Sequence, residues 1–316
     1  MKVLVADRIA NQGIDILKNS GAQVNIKLKL EPEELTSIIG DYDALVVRSQ
    51  PRVTADVIRA GKKLKIIGRA GAGVDNIDVN ATTEAGILVV NAPNSNTIAV
   101  AEHVFGLMLA LARHIPQAHH KLKSGTWAKS EFMGTELKGK TLGVVGLGKI
   151  GVEVAKRAQV FEMKVIAHDP YVSAEFARQR QVKLVSLEEL LRESDFITLH
   201  ALLTPATRGL IGAREIALVK PTVRIVNCAR GELIDEEALA SALADGRIAG
   251  AAVDVYCEEP ATKCVLFTCD NIINTPHLAA STVEAQIAGA VTVAEQIVAV
   301  FNGKPPQFPV NSPADK

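Results

Sequence analysis

Features that this sequence lacks exclude several classes of protein before any motif is considered. It has no excess of positive or negative charge, because 35 basic residues balance 35 acidic ones among 316 residues. The basic residues are also scattered, so the chain lacks the field that attracts nucleic acid or anionic lipid over a distance. We therefore expect small-molecule substrates, with no nucleic-acid and no membrane partner.

Long apolar runs are missing as well. The longest unbroken run, nine residues from Val104 to Ala112, is about half of the ~20 residues that a transmembrane helix needs. The chain opens with the strand-like stretch MKVLVAD and shows no basic segment followed by an apolar signal core. These features predict a cytoplasmic protein.

Cysteines are few and fall in no paired pattern: Cys228, Cys257, Cys264 and Cys269. Four are too few to cross-link a chain of this length, which fits a reducing compartment. The last three and His277 offer four soft ligands within about twenty residues, but the C-x-x-C turn of most structural zinc sites is missing. We expect no metal.

Short β-branched runs alternate with amphipathic stretches along most of the chain, which predicts parallel sheets covered by helices. The first part contains the strand-like runs KVLVAD, ALVVRS, KIIGRA and ILVVNAP. One long helical run then extends from Thr97 to Gly125, and a polar loop with the only tryptophan, Trp127, follows it. Six further apolar runs follow, near Thr141, Lys164, Asp195, Val223, Ile248 and Asn271. A full dinucleotide-binding sheet has six strands, so these runs predict such a sheet.

The first of these six runs carries a glycine motif, KTLGVVGLGKIG, between a strand pattern and a helix pattern. In this setting Gly146 allows a tight turn, Gly148 lets a pyrophosphate approach the backbone, and Gly151 lets the helix pack on the strand. The next strand ends in Asp169, eighteen positions after Gly151. Its carboxylate can accept hydrogen bonds from ribose hydroxyls and would repel a 2′-phosphate, so the predicted cofactor is NAD rather than NADP. The alternative is an ordinary glycine turn followed by a surface aspartate.

The position of this motif predicts a divided chain. We expect a NAD-binding Rossmann domain over residues 98–281, inserted into a discontinuous substrate-binding domain of residues 1–97 and 282–316. The apolar tail from Ser281 predicts one more long helix that returns to the first lobe. The predicted fold class is therefore α/β, with two doubly wound parallel-sheet lobes.

Three late strands end in polar residues, in the stretches VNCARG, AAVDVYCEEP and NTPH. Because the carboxyl ends of parallel strands meet at one edge, we expect Arg230, Asp254, Glu259 and His277 to converge. Arg230 suits a bidentate grip on a carboxylate, the alternative being a plain surface ion pair. Glu259, or its neighbour Glu258, would hold the imidazole of His277, which is otherwise a structural histidine. This set suits oxidation of a 2-hydroxy acid, in which His277 takes the hydroxyl proton as hydride leaves the carbon.

Long, ordered motifs carry a resemblance to a known family. The chain resembles the D-isomer-specific 2-hydroxyacid dehydrogenases over nearly its whole length, in the stretches GRAGAGVDNID, NAPNSNTIAVAEH, GKTLGVVGLGKIG, NCARGELIDEEAL, GAAVDVYCEEP and TPHLAASTVEAQ. The resemblance implies a flavodoxin-like substrate domain and the catalytic set Arg230, Glu259 and His277. It implies NAD contacts at Gly146, Gly148, Lys149, Ile150, Gly151, Asp169, Cys228, Ala229, Arg230, Asp254, His277, Ala279 and Ala280. It implies substrate contacts at Arg48, Ser49, Ala72, Gly73, Val74, Asn96, Arg230, His277 and Gln286.

The resemblance also implies a homodimer or a higher homo-oligomer, in which the long helix from Thr97 and the loop with Trp127 pack on the partner. Longer family members carry a C-terminal regulatory domain that binds serine. The resemblance implies a short form without it, and two alternatives stay open: a natural short form, or a piece of a longer chain. One stretch departs from the family pattern: HALLTPAT has Ala201 and Leu202 where relatives carry a threonine or similar residue and then proline. We expect this loop to contact the cofactor differently.

A phosphorylated substrate is the favoured interpretation. A three-carbon acid held at its carboxylate needs a second anchor if hydride transfer is to be oriented, and Arg48, helped by Arg52 and by Lys129 of the partner subunit, could bind a phosphate. The resemblance implies that this substrate is 3-phosphoglycerate, whose oxidation begins the phosphorylated route to L-serine. Three alternatives stay open: that Arg48 only caps its strand, that the enzyme is a glyoxylate or hydroxypyruvate reductase, and that the protein is a non-enzymatic NAD-sensing corepressor.

Overall fold

The computed structural model describes residues 1–313, which fall into two compact units. The first unit contains Met1–Asn96 together with the chain from Ala280 onward. The second unit is Thr97–Ala279. Each is built on one parallel β-sheet with helices on both faces, so the predicted α/β class with two parallel sheets is confirmed.

The first unit has one five-stranded sheet. Its strands are β1 Lys2–Val5, β2 Gln23–Ile26, β3 Ala44–Val47, β4 Ile66–Arg69 and β5 Leu88–Asn91. Their order is β2-β1-β3-β4-β5, with all pairs parallel. The helices are α1 Asn11–Asn19, α2 Pro32–Ile38, α3 Ala55–Ala60, α4 Val79–Glu84 and α12 Val283–Phe301, with a short 3₁₀ turn at Ile39–Asp41. Alternate residues of the strands face opposite layers: Leu4 packs with α2 and α3, whereas Val3 and Val5 pack with α1 and α12.

The second unit has one seven-stranded sheet. Its strands are β6 Thr141–Val145, β7 Lys164–His168, β8 Lys183–Leu184, β9 Phe196–Leu199, β10 Arg224–Asn227, β11 Gly250–Val253 and β12 Ile272–Asn274. Their order is β12-β11-β10-β9-β6-β7-β8, with all pairs parallel. The helices are α5 Thr97–Arg113, α6 Ile115–Lys123, α7 Lys149–Val160, α8 Ala174–Arg178, α9 Leu187–Glu193, α10 Ala213–Ile216 and α11 Glu236–Ala244, with 3₁₀ turns at Lys129–Glu131, Gly231–Leu233 and Val265–Thr268. Helices α5 and α7 cover one face of the sheet, and α9, α10 and α11 cover the other.

Two strands are additional to those that the sequence predicts. β2 and β8 both lie at the edge of their sheets, and their side chains are only half-buried or exposed. An edge strand that buries little apolar surface carries little periodic signal, and β8 has only two residues. The expected count of six strands in the nucleotide sheet is therefore wrong by one, although all six predicted runs form strands.

The predicted single helix from Thr97 to Gly125 is in fact two helices. α5 ends at Arg113, His114 adopts a left-handed φ of 53°, and α6 begins at Ile115 with its axis bent by 62°. Pro116 explains the break, because a proline lacks the N–H of an interior helical residue and its ring collides with the preceding turn. Both helices keep the apolar spacing that predicted helical structure. The prediction of helical structure was therefore correct, and the prediction of one continuous helix was wrong.

α12 corrects the expectation that no segment reaches the length of a membrane span. Its 19 residues are long and apolar enough to do so by length and composition. The helix packs instead on α1 and on strands β4 and β5, the role of a core helix in a globular domain. The packing is close: a Cβ atom on Gly68 of β4 would overlap the side chain of Val293.

Candidate functional site

The turn between β6 and α7 has the shape of an anion cradle. Gly146 has a φ of 93°, and a Cβ atom there would lie 2.7 Å from the carbonyl carbon of His200. Gly151 packs against the carbonyl oxygen of Gly146, which leaves no room for a side chain. A Cβ on Gly148, in contrast, would meet nothing within 4 Å, so the space in front of this residue is open.

Gly148 is also the N-cap of α7, and it brings no side chain to satisfy the first amides of the helix. Lys149 and Ile150 begin the helix, so their N–H groups belong to the unpaired first turn. Free amides at the positive end of a helix dipole are a ready site for a phosphate. The open space and the unpaired amides together fit the pyrophosphate of a dinucleotide.

Asp169 directly follows β7, and β7 is adjacent to β6 in the sheet. Its Oδ2 accepts a hydrogen bond from the N–H of Leu147 at 2.8 Å, and its Oδ1 accepts one from the N–H of Tyr171 at 2.9 Å. The carboxylate is thereby fixed beside the glycine turn while each oxygen keeps acceptor capacity. This position suits recognition of the ribose hydroxyls of NAD.

Arg230 follows β10 in a tight turn. The side chain of Asn227 braces this turn, since its Nδ2 donates to the carbonyl oxygen of Arg230 at 2.8 Å and its Oδ1 accepts from the N–H of Ala229 at 3.0 Å. The guanidinium itself donates to the carbonyl oxygen of Ala229 at 2.6 Å. Gly231 is needed next, because a Cβ there would overlap the backbone of Tyr256. The sequence places Arg230 correctly at the carboxyl edge of the sheet.

His277 and Glu259 form the pair that the sequence predicts. Nδ1 of His277 and Oε2 of Glu259 are 2.7 Å apart, and Oε1 of Glu259 accepts from the N–H of Tyr256 at 3.0 Å. This hydrogen bond identifies Glu259, and not the neighbouring Glu258, as the partner of the imidazole. Nε2 of His277 makes no hydrogen bond to any residue between 1 and 313, and the side chain is 49% exposed. One ring nitrogen is therefore held and the other is available.

The electrostatics of the pair favour an ionised glutamate. Burial alone would raise the pKa of Glu259, but the hydrogen bond and charge of His277, the N–H of Tyr256 and the charge of Arg230 outweigh burial and lower this pKa. Glu259 thus remains a carboxylate at neutral pH and keeps its hydrogen bond to Nδ1.

Asp254 lies at the end of β11 with no exposed side-chain surface. Burial would raise its pKa, but hydrogen bonds from His103, Thr275 and the backbone of Leu278 and Ala279 lower it, so the buried carboxylate is ionised. Ala279, which the resemblance implies for NAD contact, is one of these donors.

Cys228, also implied for NAD contact, follows β10 and is buried near Asp254. Burial and the charge of Asp254 raise the pKa of its thiol, so it is protonated. Possible ligand atoms of His103, Cys228 and Asp254 lie within 4.8 Å of one another, a spacing that could accommodate a metal ion. Because the carboxylate of Asp254 is already bonded by Thr275, Leu278 and Ala279, we assign the group to a hydrogen-bond network instead.

His103 is the residue that sequence reasoning missed. It lies on α5, whose neighbouring positions are mostly buried and apolar, and nothing in its spacing relates it to Asp254 or Thr275. Contact across more than 150 positions depends on how α5 packs on the sheet, which no local pattern contains.

The residues proposed for substrate binding belong mainly to the first unit, where most of them follow three adjacent strands. Arg48 and Ser49 follow β3, the loop of Ala72, Gly73 and Val74 follows β4, and Asn96 lies after β5. The side chain of Asn91 fastens this loop, because its Nδ2 donates to the carbonyl oxygen of Ala72 at 2.6 Å.

Gln286 lies in the first turn of α12, and its Nε2 donates to the carbonyl oxygen of Ala280 at 3.2 Å. Gly289, one turn later, approaches the backbone of Ala70 beside the β4 loop. The structure therefore gathers the expected substrate residues of this unit around one edge of its sheet.

The comparison with known proteins agrees with this geometry. Residues 105–279, more than half of the chain, match the sequence profile described as D-isomer specific 2-hydroxyacid dehydrogenase, NAD binding domain. The chain belongs to this family. The resemblance is confirmed, and the prediction of a Rossmann-type domain for NAD agrees with a family of NAD-binding dehydrogenases.

Relatives within the 2-hydroxyacid dehydrogenase family are similar over nearly the whole chain. A protein from Methanocaldococcus jannaschii is 54% identical and one from Synechocystis sp. is 53% identical, each over 99% of this chain; both are named D-3-phosphoglycerate dehydrogenase. This chain spans 60% and 56% of their respective lengths. Among solved structures, the TT0316 protein from Thermus thermophilus matches with a TM-score of 0.91 and 34% identity, over 98% of this chain and 100% of that one.

Proposed function

We propose that this protein oxidises D-3-phosphoglycerate to 3-phosphohydroxypyruvate with NAD, the reaction that begins the phosphorylated synthesis of L-serine. The observation that carries the proposal is the His277–Glu259 pair beside Arg230, in the same unit as an open glycine cradle. The name shared by the two relatives supports the choice of substrate.

In this reaction Arg230 binds the substrate carboxylate and polarises the adjacent carbon–oxygen bond. Nε2 of His277 accepts the hydroxyl proton, and Glu259 stabilises the imidazolium through Nδ1. NAD, when bound, supplies the acceptor for the hydride. The substrate loses one proton to His277 and one hydride to the cofactor, so the alcohol becomes a ketone. Asp169 fixes the ribose end, and its charge disfavours NADP.

The proposed phosphate contact is Arg48. Its backbone directly follows the buried strand β3, and its neighbours Ser49 and Arg52 are exposed. A charge-assisted contact at this position would separate phosphorylated from unphosphorylated acids. A glyoxylate or hydroxypyruvate reductase would use the same acid–base pair but has no substrate phosphate for Arg48 to bind. The effect of replacing Arg48 on the KM for each type of substrate therefore distinguishes these two functions.

We further propose that residues 98–281 act as the NAD-binding domain of a cytoplasmic homodimer. Trp127 is 81% exposed and Met133 86% exposed, on the loop after α6, and Ile115 and Leu122 of α6 are exposed as well. Apolar side chains of this size gain free energy when a partner covers them. A fully active protein with a monomeric mass at micromolar concentration would contradict the dimer.

The acid–base assignment is tested with His277→Asn. Loss of proton transfer should lower kcat by about a hundredfold or more and leave the Kd for NAD within about twofold. The matched control is Glu258→Gln, which changes a neighbouring exposed acid and should retain kcat. A loss of only a few-fold in His277→Asn would show that the histidine is structural and would refute the proposed chemistry.

A further inference from the structure

The segment from Thr275 to Ala279 holds its histidine in an unusual backbone conformation. His277 has a φ of 53°, in the left-handed region that residues with a Cβ seldom occupy. Such a conformation persists only where surrounding contacts determine it. The contacts of this segment converge on one buried residue, Asp254.

Asp254 bonds to four of the five residues in this segment. Its Oδ1 accepts from Oγ1 of Thr275 at 2.6 Å and from the N–H of Leu278 at 2.7 Å, and its Oδ2 accepts from the N–H of Ala279 at 2.8 Å. Its main-chain carbonyl accepts from the N–H of His277 at 2.8 Å.

The fifth residue of the segment is Pro276, which has no N–H to donate. Every backbone donor of residues 277–279 therefore bonds to Asp254, and the N–H of His277 also reaches the carbonyl oxygen of Thr275 at 3.1 Å. These three donors flank or belong to the residue with the left-handed φ.

His103 completes the surroundings of the carboxylate from a different element, α5. Its Nε2 lies 3.5 Å from Oδ1 of Asp254 and 3.4 Å from Oγ1 of Thr275. The thiol of Cys228 also lies near this group. Asp254 is fully buried, so these donors replace the water that would otherwise solvate its charge.

We propose that Asp254, supported by Thr275 and His103, is a positioning residue for His277. It fixes the left-handed turn so that Nδ1 meets Glu259 and Nε2 stays free. The role is separate from the cofactor contact expected of Asp254. Its kinetic consequence rests on the proposed function, in which His277 moves the proton.

Thr275 gives the sharpest kinetic test, because it touches the network and is not among the residues proposed to bind NAD or substrate. Thr275→Val keeps the shape of the side chain and removes the donor, whereas Thr275→Ser keeps the hydroxyl. We expect Thr275→Val to lower kcat about tenfold or more, with the KM for NAD within about twofold, and Thr275→Ser to recover kcat to within about threefold of the wild type. Equal kcat values for the two variants, or a rise in the KM for NAD that matches the fall in kcat, would overturn the proposal.

A double-mutant cycle tests the part played by His103. His103→Ala should lower kcat by about threefold, since its contacts are longer than that of Thr275. Because both side chains act on the same oxygen of Asp254, the double variant should lose less than the product of the two single losses. Losses that multiply would show that His103 acts elsewhere.

Hydrogen exchange separates this proposal from the proposed function. The amides of Leu278 and Ala279 are bonded to the Asp254 carboxylate, and their exchange can be followed without NAD or substrate. In Thr275→Val these amides should exchange about tenfold faster than in both the wild type and Thr275→Ser. Unchanged exchange would refute the network even if the enzyme is active. Faster exchange would support it even if the wild type fails to oxidise 3-phosphoglycerate.

Discussion

Two glycines in the turn between β6 and α7, Gly146 and Gly148, should have different effects when each is changed to alanine: the first change should lower stability and the second should weaken NAD binding. Gly146 has a φ of 93°, and a new Cβ would lie 2.7 to 2.8 Å from backbone atoms of His200 and Ala201. The left-handed backbone costs about 1–2 kcal/mol with a Cβ, and overpacking against backbone that cannot rotate away costs about 1–3 kcal/mol more. Gly146→Ala should therefore lower the free energy of unfolding by about 2–5 kcal/mol.

Gly148→Ala should behave in the opposite way. The added methyl group meets nothing within 4 Å, and the φ of −77° at Gly148 is open to any residue, so stability should stay within about 0.5 kcal/mol of the wild type. The methyl group would instead occupy the open space where we place the pyrophosphate. Losing one charge-assisted hydrogen bond there, worth about 1.5–3 kcal/mol, should raise the Kd for NAD by about tenfold to a hundredfold.

Urea unfolding and calorimetric titration with NAD measure both quantities on the same three proteins. Wild-type affinity for NAD in a stable Gly148→Ala variant would refute the assignment of the cradle. Wild-type stability in Gly146→Ala would refute the argument about the turn.

Three further predictions concern single side chains. Asp169→Ala should narrow the preference for NAD over NADP by about tenfold or more in kcat/KM, because a carboxylate that repels the 2′-phosphate is removed; comparable use of both cofactors by the wild type would contradict this. Arg48→Ala should raise the KM for 3-phosphoglycerate about tenfold or more and barely change the KM for hydroxypyruvate in the reverse direction, whereas equal effects would mean that Arg48 is structural. His200→Asn should make the stability of the protein less sensitive to acid. Burial lowers the pKa of His200 from 6.5 to about 4, so on acidification the unfolded chain binds a proton that the native state does not bind. The free energy of unfolding of the wild type, measured in urea, should therefore fall by about 2 kcal/mol through this group between about pH 7.5 and pH 5. An equally large fall in His200→Asn would refute this explanation.

The sequence predicted best where a local pattern and a physical requirement coincide. Gly146, Gly148 and Gly151 each meet a separate constraint in the folded turn, and their spacing follows from those constraints. The convergence of Arg230, Glu259 and His277 was also predictable, because carboxyl ends of adjacent parallel strands must meet.

What the sequence could not show depends on packing over long separations or on small amounts of buried surface. The contact of His103 with Asp254 arises only when α5 lies on the sheet. The edge strand β8 has two residues and leaves no periodic trace. The break at His114 was within reach, because Pro116 marks it, but the apolar spacing on both sides suggested a continuous helix.

The most direct test of the central claim is a set of initial rates for the wild-type protein with NAD and a panel of D-2-hydroxy acids, together with the reverse reaction on the corresponding keto acids. We expect kcat/KM to be highest for 3-phosphoglycerate and 3-phosphohydroxypyruvate, and to fall at least about tenfold for glycerate and hydroxypyruvate, which lack the phosphate. A preference for hydroxypyruvate or glyoxylate would contradict the proposed substrate and favour a reductase. The absence of NAD-dependent oxidation with every acid, in a protein that binds NAD, would contradict the account as a whole.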